Sequence, residues 1–236
     1  MQKLKNIKGI FLDVGWTLCR PATGSWVIPL KALTYTGWDV FDAIESGKRE
    51  SAFRTCMDYL DQNHLIFTEE EELCQFRVYY RMLAELLPEL HWSGEQIEAI
   101  AQDKVFNMEN YIPFSDTKET VRELSKRFPL GVISDTWPSI RHILEYLEVY
   151  DYFDSYTYSC NLGVTKPNPK MYEHAIKALG IASESTLFVD DFIDNLHGAH
   201  RAGIQPVMIT LRPDVTHETQ YPKISRIGEL LELVEG

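Results

Sequence analysis

Ile10-Phe11-Leu12-Asp13-Val14-Gly15-Trp16-Thr17-Leu18 is the stretch from which the rest of the chain is read. Its first three residues are a short apolar run, the pattern of a strand buried on both faces. The run stops at Asp13, two residues before a glycine, so a carboxylate stands where a strand gives way to a loop. Ligands of open α/β sheets bind outside the carboxyl ends of the strands. Asp13 is therefore a candidate site residue, and Thr17, four positions on, brings a hydroxyl to the same loop. Taken alone, the stretch fits an ordinary strand-to-loop turn with a solvated aspartate equally well.

Downstream the pattern recurs. Leu130–Ser134 is a buried strand ending in a hydroxyl, and Thr186–Val189 is another, ending in adjacent Asp190 and Asp191. Tyr156–Cys160 reads as a weaker strand before a loop that carries Lys166, and Pro206–Ile209 as a further one. Helical periods lie between them: Thr117–Arg127, a helix opened by Pro138, Pro169–Leu179 stopped at Gly180, and Asp194–Ala202 stopped at Gly203. A last short strand and helix span Ile224–Val234. Strands alternating with helices predict a mostly parallel sheet with right-handed crossovers.

From about Val40 to about Met108 the period is helical throughout, with no strand. Thr68 with Glu71, and Ser93 with Gln96, are capping boxes that open two of its helices. Breaker-rich segments at 19–25 and 110–116 flank this stretch and read as hinges, the only two chain crossings. The expected organisation is an α/β core of residues 1–19 and 113–236 with an inserted helical domain, 20–112. Trp26, Tyr35, Trp38 and Trp92 are read as core aromatics of the insertion rather than as substrate contacts.

A chain of 236 residues, 44% hydrophobic, can bury a core of this size. Its net charge of −12 excludes a nucleic-acid backbone as partner, since such binders need clustered basic surface. Four scattered cysteines with no C-x-x-C pair suit reduced thiols in a cytoplasmic protein. No apolar run follows the N-terminal lysines as in a signal peptide, and none is long enough to span a membrane.

Asp13, Ser134, Lys166 and the Asp190-Asp191 pair thus meet at one edge of one sheet. Lys166 in a loop and Ser134 at a turn are individually bland. Two neighbouring aspartates are less so, because they repel unless a cation sits between them. A hard divalent ion suits oxygen donors, and Mg²⁺ typically takes one or two carboxylates plus substrate phosphate. The set reads as a phosphate-plus-magnesium site.

In order and spacing these motifs resemble the haloacid dehalogenase-like superfamily. Asp13-Val-Gly-Trp-Thr-Leu stands where that family has D-x-D-G-T-L. Val132-Ile-Ser134, Lys166-Pro167, and Asp190-Asp191 with Asn195 are similar to its second, third and fourth motifs. The resemblance implies a Rossmann-like, three-layer α/β core, with the helical insertion serving as a cap. It implies that Asp13 is a nucleophile forming an aspartyl-phosphate, that Ser134 binds the phosphoryl oxygens, and that Lys166 neutralises them and keeps Asp13 ionised. It implies Mg²⁺ held by Asp13, Asp191 and the carbonyl of Gly15, with Asp190 in or beside the ligand set, and a small phosphorylated metabolite as substrate.

One position departs from the family. Its phosphatases carry a second aspartate two residues after the nucleophile, as general acid and base; here that residue is Gly15, and the family's glycine is Trp16. Such help is worth about 10²–10⁴-fold, so turnover is expected to be slow unless Asp135 or a cap carboxylate substitutes. Two alternatives stay open: a dehalogenase- or phosphonatase-like hydrolase, and a phosphate-binding module without turnover.

Overall fold

Gly9–Leu12 forms β1, and all four residues are buried. Successive strand residues point to opposite faces, so burial of Ile10, Phe11 and Leu12 alike means that both faces of this strand are covered. In the computed structural model, which describes residues 3–213 and 218–235, β1 is central in a six-stranded sheet. The remaining strands are β2 (Cys19–Pro21), β3 (Tyr111–Pro113), β4 (Leu130–Ser134), β5 (Ser155–Tyr158), β6 (Thr186–Asp190), β7 (Gln205–Ile209) and β8 (Lys223–Ile224). The large sheet runs β5-β4-β1-β6-β7-β8, and every pairing is parallel. The α/β architecture expected from the alternating pattern is the one observed.

Register does the positioning. Leu12 lies opposite Val132 on one side and Val189 on the other. The next residue of each strand therefore reaches the carboxyl edge together: Asp13, Ile133 and Asp190. Asp13 extends the ladder by donating its N–H to the Val189 carbonyl at 3.0 Å.

The chain divides into two compact units: 1–20, 113–136 and 140–236, and 21–112 with Trp137–Ser139. The bounds at residues 1 and 236 lie outside the described residues. The second unit holds α1 (Leu30–Tyr35), α2 (Trp38–Ala43), α3 (Ser46–Gln62), α4 (Glu69–Leu86) and α5 (Gly94–Phe106). Helices therefore begin ten residues before Val40, where Pro29 and Gly37 punctuate two short ones. Both capping boxes form: Glu71 N–H donates to Thr68 Oγ1 at 3.2 Å, and Gln96 N–H to Ser93 Oγ at 3.2 Å. Trp92 is buried, its Nε1 donating to Thr36 Oγ1 at 2.9 Å, but Tyr35 and Trp38 are each 38% exposed, so they are surface aromatics, not core.

The segments between the units carry more structure than their breakers announce. The segments read as hinges contain β2 and β3, which pair into a two-stranded sheet, because a ladder satisfies backbone groups that a free linker would leave to water. The compact grouping also includes a third segment, Trp137–Ser139, which joins the helices. Ser139 donates its N–H and Oγ to the two oxygens of buried Glu72, each at 2.8 Å.

The α/β unit carries α6 (Thr117–Ser125), α7 (Ile140–Tyr146), α8 (Ser159–Leu162), α9 (Pro169–Leu179), α10 (Ile193–Arg201) and α11 (Leu230–Leu233). The strand expected over 156–160 ends at Tyr158, because Ser159 turns its hydroxyl to the Thr136 N–H at 2.8 Å and opens α8. Phe11, Ile133, Phe188 and Met208 pack against α9 and α10 through Tyr172, Ala175, Leu196 and Ala199. A methyl at Gly198 would meet Tyr172 Oη at 2.6 Å and Pro167 Cβ at 2.9 Å. Only glycine lets α10 come this close to the loop that carries Lys166.

Candidate active site

Lys166 enters the sheet edge from the loop between α8 and α9, with its side chain 2% exposed. Nζ donates to Asp13 Oδ1 at 2.6 Å, to Asp190 Oδ2 at 2.8 Å and to the Ile133 carbonyl at 3.2 Å. An ammonium has three protons, and all three are engaged. Burial opposes a charged lysine, but Asp13 and Asp190 outweigh it and hold Lys166 protonated well beyond the ordinary range. Burial raises the Asp13 carboxyl well above the usual carboxylate range, with the Asp190 and Asp191 charges adding to it and Lys166 opposing.

Asp190 is fully buried, and its acceptors are taken by the protein. Oδ1 accepts from Phe192 N–H at 2.7 Å and from Asn195 Nδ2 at 3.1 Å. Oδ2 accepts from Lys166 and, at 3.0 Å, from Asn195 again. Of the two places expected for Asp190, in or beside the cation's ligand set, these bonds suit the second: it holds the lysine.

Asp191 is different. It is 7% exposed, and its Oδ2 is buried without a hydrogen bond; the only cation beside it among the described residues is Arg212, Nη1 at 3.5 Å. Burial, then the neighbouring Asp190, push its carboxyl up to about 6. Among the described residues the adjacent aspartates face different side-chain cations: Lys166 serves one and Arg212 stands near the other. Arg212 was missed by sequence reasoning. It lies three residues past β7, at the same carboxyl edge, and that placement was the available signal.

The other expected residues fall as follows. Ser134 ends β4, buried, level with Tyr158 of β5. Thr17 is fully buried, and its Oγ1 has no hydrogen-bond partner among the described residues. Asp135 is exposed, and its Oδ1 accepts the Lys166 backbone N–H at 2.9 Å, which ties the lysine's loop to the end of β4. Gly15 bridges to Cys19. Trp16, in the glycine's place, has φ of 54°, a left-handed conformation that costs a bulky residue energy.

The family model for haloacid dehalogenase-like hydrolases matches residues 7–203. The chain belongs to the haloacid dehalogenase-like hydrolases. Phosphatase MT3486 of Mycobacterium tuberculosis is 27% identical over 139 residues, 56% of this chain and 63% of that protein. Glyceraldehyde 3-phosphate phosphatase of Methanopyrus kandleri is 29% identical over 135 residues, 52% of this chain and 56% of that protein. The matches thus span between about half and two thirds of these relatives. The structure of 2-haloacid dehalogenase from Pseudomonas syringae superposes with a TM-score of 0.63 over 96% of this chain and 97% of that one, at 19% identity, a likeness of fold alone.

Within this hydrolase the donors suit a hard cation. Among the described residues no three His, Cys, Asp or Glu side chains are grouped as a ready-made metal centre. Two buried carboxylates of raised pKa, one with an oxygen lacking a hydrogen bond, nevertheless leave negative charge that an oxygen-coordinated divalent ion would offset. No helix among the described residues is long and apolar enough to cross a membrane.

Proposed function

We propose that this hydrolase cleaves small phosphorylated metabolites through an aspartyl-phosphate on Asp13, slowly, with Mg²⁺ held by Asp13, Asp191 and the Gly15 carbonyl. The observation that carries the reading is the three-pronged hold on Lys166, which fixes a buried positive charge 2.6 Å from a carboxylate at the sheet's carboxyl edge. Positive charge fixed beforehand stabilises charge developing on phosphoryl oxygens without reorganisation. The phosphatase names of the relatives agree with it.

Asp13 attacks phosphorus, and the bond from phosphorus to the leaving oxygen breaks. The departing alkoxide takes its proton from water, since residue 15 has no side chain to give one. Water then attacks phosphorus, the bond to Asp13 breaks, and phosphate leaves. The Ser134 hydroxyl holds the phosphoryl oxygens in both steps, and the fixed charge of Lys166 offsets theirs from beside Asp13. When bound, Mg²⁺ supplies positive charge to those oxygens and orients them. The helical insertion is assigned the part of a substrate-selecting cap. With four scattered cysteines and no C-x-x-C pair, the chain is assigned to a reducing cytoplasm.

Gly15 favours one second reading. Displacement of halide from carbon by Asp13 needs no proton for the leaving group, so a missing acid costs a dehalogenase nothing. A panel of phosphate esters and 2-haloacids, each with and without Mg²⁺, separates the readings. Phosphate released only with Mg²⁺, and lost in Asp13→Asn, is the expected result. Halide release without phosphate release would transfer the chain to the dehalogenase reading, and phosphate binding without either product would make it a binding module.

A further inference from the structure

Asp190 and Asp191 are neighbours in the chain, yet their oxygens are met very differently. Asp190 accepts from Phe192, Asn195 and Lys166 on both of its oxygens. Asp191 Oδ2 is buried and accepts no hydrogen bond among the described residues. A buried carboxylate oxygen left without a donor is costly. Arg212 stands beside it with Nη1 at 3.5 Å, outside the range of about 2.7–3.2 Å in which an N–H donates to oxygen.

Elsewhere in this chain an arginine pairs far more closely. Arg77 sets Nε and Nη2 each 2.6 Å from a different oxygen of Glu98, the two-pronged geometry that a planar guanidinium favours. That pair stands in solvent, where it is needed least. At Asp191 the carboxylate side chain is only 8% exposed, and its arginine is held loosely and is itself 37% exposed. The backbone before Arg212 is fixed, since the Thr210 N–H donates to the Ile224 carbonyl at 2.9 Å. The side chain beyond it is long and has water to move into. Arg212 therefore offsets the charge of Asp191 while leaving its Oδ2 open to another cation.

We propose, on the reading that Asp191 ligates a divalent cation, that Arg212 is a built-in competitor for that place. Its guanidinium neutralises Asp191 in the metal-free chain and moves toward solvent when the cation binds. The two positive charges repel on one carboxylate, so each state excludes the other. Arg212 then sets how tightly the cation is held. If it covers Asp191 for about nine-tenths of the time, the measured affinity is about tenfold below that of the uncovered site.

Titration calorimetry of the metal-free full chain with MgCl₂, at constant ionic strength, tests this without reading turnover. Arg212→Gln should bind Mg²⁺ about tenfold more tightly than the natural chain. Arg212→Lys, which restores the charge, should return toward the natural affinity. Arg226→Gln removes the same charge from an exposed position after β8 and should leave the affinity unchanged. Without Mg²⁺, Arg212→Gln should melt below the natural chain, and saturating Mg²⁺ should narrow that gap. Binding lost in Asp191→Asn, with Arg212→Gln no tighter than the natural chain, would overturn the proposal alone, as would an equal gain in Arg226→Gln. Binding undiminished in Asp191→Asn, or absent from every form, would overturn the ligand reading and the proposal together.

Discussion

Lys166 and Lys104 are both buried, 7% and 3% exposed, and their surroundings solve the cost of that burial differently. Lys166 has two carboxylates and a carbonyl on its three protons. Lys104 has one hydroxyl, aromatic faces and a carboxylate at a distance. The first arrangement fixes a charge in place beside a nucleophile. The second rests a charge on aromatic faces inside a helical core. Burial of a lysine is by itself no sign of catalysis; what its protons meet decides what the charge is available for.

Substitution by methionine at the two positions should separate them most widely. Lys166→Met leaves Asp13 and Asp190 buried without their cation, and breaking a buried pair costs about 3–5 kcal/mol. It also removes the charge facing the phosphoryl group, a loss of about 10²–10³-fold or more in turnover. Lys104→Met exchanges a long flexible chain for an apolar one of similar volume among aromatic rings, a change of about 1.5 kcal/mol or less. Chemical denaturation and steady-state turnover of both variants check this. Similar losses in the two would dissolve the contrast.

Asp191 sharpens the picture on the α/β side. Mg²⁺ should raise the melting temperature of the natural chain by mass action, by the equivalent of about 2.7 kcal/mol at a hundredfold excess over its dissociation constant. Asp191→Asn should lose most of that shift. Differential scanning fluorimetry with and without Mg²⁺ reads the outcome, and an undiminished shift removes Asp191 from the cation's ligands.

The smallest expected effect is on the helical side. Burial, only partly offset by Lys104 and the Ser139 bonds, raises the Glu72 carboxyl above its ordinary value of 4.5. A folded-state pKa raised above the unfolded one adds stability that is present at low pH and lost as pH climbs through the raised value. Stability of the natural chain relative to Glu72→Gln should therefore fall from about pH 4.5 upward, and should keep falling to a higher pH in a Lys104→Met background. Urea denaturation between pH 4.5 and 8 measures it, and a flat difference would contradict the assignment.

Much of the α/β unit could be read from its residues because its signals are local. Gly9–Leu12, Leu130–Ser134 and Thr186–Asp190 are apolar runs with polar stops, and α9 is bracketed by Pro169 and by Gly180 at φ 71°. The two capping boxes are equally local. What escaped the sequence was non-local. Nothing near Trp137–Ser139 announces that it groups with helices whose Glu72 lies 67 positions earlier. Cys19–Pro21 and Tyr111–Pro113 look like linkers until each finds the other. Asp190 and Asp191 were read as one anionic pair in want of one cation, because spacing cannot tell that Asn195, the Phe192 N–H and Lys166 all serve the first while Arg212 stands near the second.

The most direct test of the account is rapid-quench measurement of nitrophenyl phosphate cleavage with Mg²⁺, reading leaving group and protein-bound phosphate together. An aryl leaving group needs little protonation, so the first step should run. Gly15 then offers no base to the water, so the phosphoryl group should stay on Asp13. The expected result is a burst of about one nitrophenol per chain, slow turnover after it, and ³²P retained on the natural chain but not on Asp13→Asn. Gly15→Asp, with Trp16→Gly to free the left-handed position, should speed the slow phase, by up to the 10²–10⁴-fold that general acid–base help supplies. Fast turnover without a burst, or label that survives Asp13→Asn, would contradict the account.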